Sequence, residues 1–193
     1  MKVLGVTGYA GTGKSELARF LVSKGAELID VDGIGHQVLE YLKSDLQCAF
    51  GYDIIDEEGK IDRKKLAEIV FSDKSKLDLL NAMTHPLIRE MVRERLRKIK
   101  SDVVVIDAAL LSYIGLDELC DLIICVKAPG KLCIERLKAK GRPESLARAI
   151  LNAQRSKFVY NRCHEVVNNT GTIEDLKREA ERIWKLYIKK EEV

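Results

Sequence analysis

The chain has 193 residues, with 33 lysines and arginines against 30 aspartates and glutamates, a net charge of +3. An excess this small, with both signs mixed, excludes a nucleic-acid binder driven by bulk charge but permits a local basic pocket for phosphates. Hydrophobic residues make up 46%, so the chain is globular, and its length suits one domain over 1–193 with a small inserted subdomain. No apolar stretch has the length or flanks of a membrane span or a signal peptide, so the expectation is a cytoplasmic protein with no membrane partner. Five cysteines occur, at 48, 120, 125, 133 and 163. An odd count without a CxxC pair reads as small core hydrophobes in a reducing compartment, not a disulfide framework or a zinc site.

In chain order, Val3 to Val6 reads as a short buried strand, followed by Gly8-Tyr9-Ala10-Gly11-Thr12-Gly13-Lys14-Ser15 and an amphipathic helix to Ser23. Glu27 to Asp30 reads as a second strand and Ile34 to Leu46 as a helix. Residues 49–100 then carry helical patterns without strands. One helix is predicted over 62–71, and another from Asp73 is interrupted at His85-Pro86, where Pro86 opens a new helix. The β-branched run Val103 to Ile106, closed by Asp107, and the run Leu122 to Val126 are further strands. Helices follow over 131–140 and 144–159, then a fifth strand over 165–169. The last helix begins at Ile173, with Thr172 and Asp175 as its cap. Alternating strands and helices imply an α/β fold: a parallel five-stranded sheet flanked by helices. Residues 1–48 and 101–193 are expected to form a nucleotide-binding core, 49–100 a helical substrate-binding insertion, and 130–160 a short lid.

The stretch from Gly8 to Ser15 matches G-x-x-x-x-G-K-[ST]. Gly8, Gly11 and Gly13 let the backbone curl so that successive N–H groups face one anion, and the following helix adds its positive end. In this reading Thr12 and Glu16 belong to the same nucleotide-binding segment, Lys14 bridges the β- and γ-phosphates, and Ser15 ligates magnesium. Such a match arises by chance in roughly one chain in a hundred of this length, but here a strand precedes it and a helix comes after it. Asp107, ending a run of apolar β-branched residues, fits a carboxylate on the strand beside the loop that supports the magnesium from behind its direct ligands. Its plain alternative is a cap for the segment beginning at Ala108.

Two classes of phosphate-loop protein fit poorly. A regulatory GTPase needs an NKxD guanine reader, which is missing, and Asp56-Glu57-Glu58-Gly59, although it matches DxxG, reads as a surface turn. A motor or transporter ATPase usually places a water-activating Glu after the strand-end Asp, and here Ala108 and Ala109 follow Asp107. A small-molecule kinase instead needs an acceptor site. Asp30-Val31-Asp32 ends the second strand at the crevice beside the loop, and if the strand continues, alternation sets both carboxylates on one side. One of them can take the acceptor's proton, or serve only as a helix cap. Among the cations of 136–142, Arg136 and Arg142 suit phosphate oxygens, whereas Lys138 and Lys140 read as a solvated face.

At this point the chain resembles the dephospho-coenzyme A kinase family. The resemblance lies in Gly5-Val6-Thr7-Gly8 through Ser15, in Asp30-Val31-Asp32, and in Phe50-Gly51. It continues through Gly59 to Arg63 with Leu66, His85-Pro86-Leu87-Ile88-Arg89, Arg136-Leu137, Gln154, and Asn169-Thr170-Gly171. The resemblance implies ATP and Mg2+ as cofactors and dephospho-coenzyme A as acceptor, phosphorylated on its ribose 3′-hydroxyl. It implies Asp32 as base, with Lys14 and Arg136 as catalytic partners and Arg142 on the nucleotide. Thr7, His85 and Arg89 fall to the acceptor, and Asn169 and Gly171 to the adenine side. The chain departs from the family at Asp107-Ala108-Ala109-Leu110-Leu111-Ser112-Tyr113, which lacks the usual Pro and Glu, and at Cys163-His164, where the family has Ala-Asp. A nucleoside or nucleoside-monophosphate kinase and a non-catalytic nucleotide-gated binding protein are the alternatives. The expected assembly is a monomer or weak homo-oligomer.

Overall fold

The computed structural model describes residues 1–155, 157–158 and 162–189. Its elements are β1 (Lys2–Thr7), α1 (Lys14–Ser23), β2 (Glu27–Asp30), α2 (Val31–Tyr41), α3 (Lys43–Phe50), α4 (Arg63–Ser72) and α5 (Lys74–Lys98). They continue with β3 (Val103–Asp107), α6 (Leu111–Ile114), β4 (Leu122–Lys127), α7 (Gly130–Ala139), α8 (Glu144–Arg155), β5 (Glu165–Asn168) and α9 (Ile173–Tyr187). Packing divides the chain into two units, 1–30 with 95–193 and 31–94. The division falls earlier than the loss of strands at 49 suggests, because α2 and α3 pack with the helices that follow them.

The first unit is built on a five-stranded sheet of order β2-β3-β1-β4-β5, parallel throughout. All five residues of β3 are buried, which is why it reads as an unbroken apolar run: a parallel strand covered on both faces has no polar side to show. On one face Leu4, Val6, Val105 and Ile124 pack with Leu17 and Leu21 of α1 and with Leu176, Ile183 and Trp184 of α9. Thr172 caps α9 as expected: its hydroxyl accepts from the Asp175 N–H, and the Asp175 carboxylate accepts from the Thr172 N–H. The order sets β1 beside β3, and the connection leaving β1 runs to β2 at one edge while that leaving β3 runs to β4 on the other side. The carboxyl end of β1 beside β3 is therefore the crevice where such sheets bind ligands.

The second unit has a smaller core, Leu46, Ile54, Ile61, Leu66 and Val70, ringed by half-buried Leu39, Leu42, Phe50 and Phe71. Asp62 starts α4 by accepting from the N–H groups of Lys64 and Lys65. The segment Asp56 to Gly59 is a tight turn: Gly59 N–H donates to the Asp56 carbonyl, and the Asp56 carboxylate accepts from the N–H groups of Glu58 and Lys60.

Several expectations need correction. The predicted helix over 34–46 begins at Val31 and breaks at Leu42 into α2 and α3. Pro86 does not open a helix; it lies inside the continuous α5. One missing N–H costs a single bond there, and Thr84 sends its hydroxyl to the Leu80 carbonyl at 2.8 Å, a contact that lets a helix bend around such a defect. The helix predicted to Val159 is described as far as Arg155, and Val159 lies outside the described residues. Cys125 and Cys163 are not separate core thiols. They form a disulfide between Cα atoms 5.7 Å apart, because the pairing of β4 with β5 brings these two stretches side by side. Cys48 is exposed, Cys120 half-buried and Cys133 buried, all as free thiols. Burial pushes the Cys120 thiol up to about 12, so it stays protonated.

Candidate active site

β1 delivers the chain into the phosphate loop at Gly8, and α1 takes it up at Lys14. Two glycines are required by the backbone. Gly11 has φ +82°, and a Cβ there would lie 2.5 Å from the Cys133 carbonyl oxygen of α7. Gly13, the N-cap of α1, has φ +95°, and a Cβ would overlap the Asn169 amide. Any other residue would be strained at both positions and would push the loop off its support. The Thr12 N–H and hydroxyl both donate to the Tyr9 carbonyl, at 3.1 and 2.9 Å. Tyr9 to Thr12 is thus a closed four-residue turn with the positive-φ glycine in third place.

Lys14 and Asp107 meet where the sequence predicts. Val6 and Asp107 are neighbours in the β1–β3 ladder, which places the end of β3 beside the loop. Lys14 Nζ lies 3.2 Å from Asp107 Oδ1, with both side chains only 9% exposed. It also donates to Ser15 Oγ at 3.4 Å. Asp107 Oδ1 accepts no hydrogen bond in proper geometry from any described residue, so a buried carboxylate oxygen and a hydroxyl flank one cationic position. Among the described residues no three His, Cys, Asp or Glu side chains gather to hold a metal. A carboxylate-and-hydroxyl pair is the donor set of a magnesium ion that takes its other ligands from phosphates and water.

Asp30 is the ladder partner of Asp107 across β2 and β3. The strand ends there, however. Val31 opens α2, and Asp32 is exposed in the first helical turn. The expected strand alternation between the two carboxylates therefore does not occur, since helix geometry takes over at residue 31. In the helical unit, His85 and Arg89 are one turn apart on α5, hence on one face. Arg89 Nε is buried without a hydrogen-bond partner among the described residues.

Of the other expected site residues, some are turned toward the protein and others lie on its surface. Thr7 is buried, and its hydroxyl donates to the Ala109 carbonyl at 3.1 Å. Glu16 pairs with Arg19 on the surface. Arg136 donates to the carbonyls of Gly11 and Thr12, each at 3.3 Å, and of Asn169, at 3.4 Å. Asn169 is buried, with Nδ2 donating to the Thr12 carbonyl at 2.7 Å. Arg136 and Asn169 thus brace the loop from behind, using carbonyl oxygens that point away from the anion side. Arg142 is exposed in the turn between α7 and α8, its N–H on the Leu137 carbonyl. A side chain at Gly171 would run into the Asp175 carboxylate of the α9 cap.

Two contacts have no local sequence signal. Gln154 Oε1 accepts from the Ala10 N–H at 2.8 Å, and Lys157 Nζ lies 4.5 Å from the Tyr113 ring centre. Tyr113 thus meets Lys157 in a cation–π contact.

A phosphate loop leaving the central strand of a parallel sheet, with its lysine against a buried aspartate on the next strand, is the architecture of a phosphate-loop nucleotide-binding protein. Comparison with known proteins narrows the class. The family model described as dephospho-CoA kinase matches residues 2–175. A dephospho-CoA kinase of Thermobifida fusca is 36% identical over 190 residues, covering 95% of each chain. One of Streptomyces avermitilis is 38% identical over 190 residues, covering 95% of this chain and 93% of its own. The solved dephospho-CoA kinase from Campylobacter jejuni superposes with a TM-score of 0.69 at 26% identity, covering 100% of both chains. The chain belongs to the dephospho-CoA kinase family.

Proposed function

We propose that this kinase moves the γ-phosphoryl group of ATP to the ribose 3′-hydroxyl of dephospho-coenzyme A, the last step of coenzyme A synthesis, in the cytoplasm. The observation that carries this reading is the Lys14–Asp107–Ser15 cluster at the phosphate loop, in a chain that aligns with a dephospho-CoA kinase over 95% of its length. Among the described residues no helix is long and apolar enough to cross a membrane. The working unit in this reading is a monomer or weak homo-oligomer.

The residues divide the chemistry between them. The loop N–H groups and Lys14 hold the phosphates and take up charge as the bond to the leaving ADP oxygen breaks. Ser15 and Asp107 would hold Mg2+, which supplies further neutralisation of the phosphate oxygens. Asp32 takes the proton of the 3′-hydroxyl as its oxygen bonds to phosphorus. Arg89, with a buried donor that lacks a partner among the described residues, binds an anionic group of the acceptor, and His85 lies on the same helical face. Arg136 acts by bracing the loop, and Arg142 is the exposed arginine able to reach the nucleotide.

The test offers ATP and Mg2+ with dephospho-coenzyme A, AMP or a nucleoside in turn, and identifies the phosphorylated product. The expected outcome is coenzyme A and little turnover of the others. Preferential phosphorylation of AMP or a nucleoside would replace this reading with the broader kinase one. Tight ATP binding without transfer to any acceptor would replace it with a nucleotide-gated binding protein.

A further inference from the structure

The sequence predicts that the segment over 130–160 folds over ATP. In the structure its described part grips the phosphate loop from outside, at each residue of the Tyr9–Thr12 turn. The Tyr9 ring packs on Phe158, centroids 4.9 Å apart. Ala10 donates its N–H to Gln154. Gly11 rests on the Cys133 backbone, and Arg136 holds the Gly11 and Thr12 carbonyls. Burial raises the Cys133 thiol pKa, so the support beneath Gly11 carries no thiolate that would repel a phosphate.

Three of these grips bear on a ring, a van der Waals surface or carbonyl oxygens. Only Gln154 bears on a backbone donor. The Ala10 N–H belongs to the Tyr9–Ala10 peptide, whose carbonyl at the other end accepts both Thr12 donors and so closes the turn. If that peptide rotates, the Tyr9 carbonyl leaves Thr12 and the turn opens. An open turn no longer aims the Gly11 N–H at the anion side, where a phosphate must sit. A side chain that fixes the Ala10 N–H from outside resists that rotation. Gln154 does this from the last turn of α8, and its position 144 residues along the chain makes the bond a product of the folded core.

We propose that Gln154 is a positioning residue for the nucleotide: by accepting from Ala10 it fixes the Tyr9–Ala10 peptide and so keeps the turn closed in its anion-binding shape. This rests on the loop binding ATP, as the proposed function requires, but not on the identity of the acceptor. The role is distinct from that of Arg136 because it is exerted through a donor and so depends on an acceptor atom at Gln154. The test is titration calorimetry with Mg2+ and a non-hydrolysable ATP analogue, without any phosphoryl acceptor. It compares the parent with Gln154→Met, which keeps the length but removes the acceptor, and Gln154→Glu, which keeps the acceptor but adds charge. Each is measured well below its melting temperature, so that affinity refers to folded protein.

Gln154→Met is expected to bind about tenfold more weakly, the loss of one modest hydrogen bond, at every salt concentration, with its melting temperature within about 2 °C of the parent. Gln154→Glu is expected to be weak at low salt through repulsion and to return to within about threefold of the parent at high salt, where that repulsion is screened. Affinity of Gln154→Met within about twofold of the parent overturns the proposal, whatever its melting temperature. So does a failure of Gln154→Glu to recover at high salt. Because no acceptor is present, absence of dephospho-coenzyme A phosphorylation would leave this result readable.

Discussion

The two units differ in how they hold their chemistry. In the sheet unit, the loop and its partners are fixed by bonds that cross the sequence: Lys14 to Asp107, Asn169 to Thr12, Arg136 to three carbonyls. In the helical unit, 31–94, the candidate acceptor residues are side chains on helix surfaces, with Asp32 exposed and Arg89 carrying an Nε donor unmatched among the described residues. The cradle for a phosphate common to all nucleotides is preformed, and preformation cuts the ordering cost of binding. In the proposed acceptor role, the unmatched Arg89 donor would be completed by what it binds. On this view, damage to the sheet unit should appear in nucleotide affinity and stability, and damage to the helical unit in acceptor kinetics.

The sharpest test is Asp32→Asn. Loss of the general base is expected to lower kcat about a thousandfold while leaving nucleotide affinity, read by calorimetry, unchanged; a coupled fall in affinity would erase the division between the units. Next is Cys163→Ser, which opens a link spanning 38 residues. It should cost up to about 4 kcal/mol of unfolding free energy in denaturant titrations, reproduced by adding reductant to the parent protein, with the acceptor KM unchanged. Arg89→Ala comes third: steady-state assays should show the dephospho-coenzyme A KM raised about 30-fold, as for a lost charged hydrogen bond, and the ATP KM unmoved. An equal rise in both would place Arg89 outside the acceptor side.

The smallest effect concerns pH. Hydrogen bonds from Lys138 and Arg148 hold the Glu144 carboxyl down at about 2, from an ordinary 4.5. A carboxyl lowered on folding stabilises above its unfolded value, and that contribution fades as pH falls through the folded one. Glu144 is solvent-exposed, so the effect is slight. The difference in melting temperature between the parent and Glu144→Gln should shrink between pH 4.5 and about 2.

The same contrast separates what the sequence reveals from what it hides. The β-branched run Val103 to Ile106 and the Thr172 cap are legible because buried parallel strands and helix starts impose patterns on adjacent residues. The phosphate loop is legible for the same reason, and it carries its lysine and hydroxyl with it. The end of β2 is not: Asp30-Val31-Asp32 suits a strand or a helix start equally, and tertiary packing decides. Pro86 reads as a helix start because propensity weighs the missing donor, while the packed faces on either side keep α5 whole. The bonds of Gln154 and Arg136 to backbone atoms more than a hundred residues away leave no local trace, and neither does the pairing of Cys125 with Cys163.

That pairing also makes the chain from residue 125 to residue 163 a covalent ring containing all of α7 and α8. A protease that cuts the exposed turn at Gly141 or Arg142 would therefore release nothing. The nicked protein would run as one band on a non-reducing gel and separate into two pieces only with reductant, so an intact band is no proof of an intact backbone.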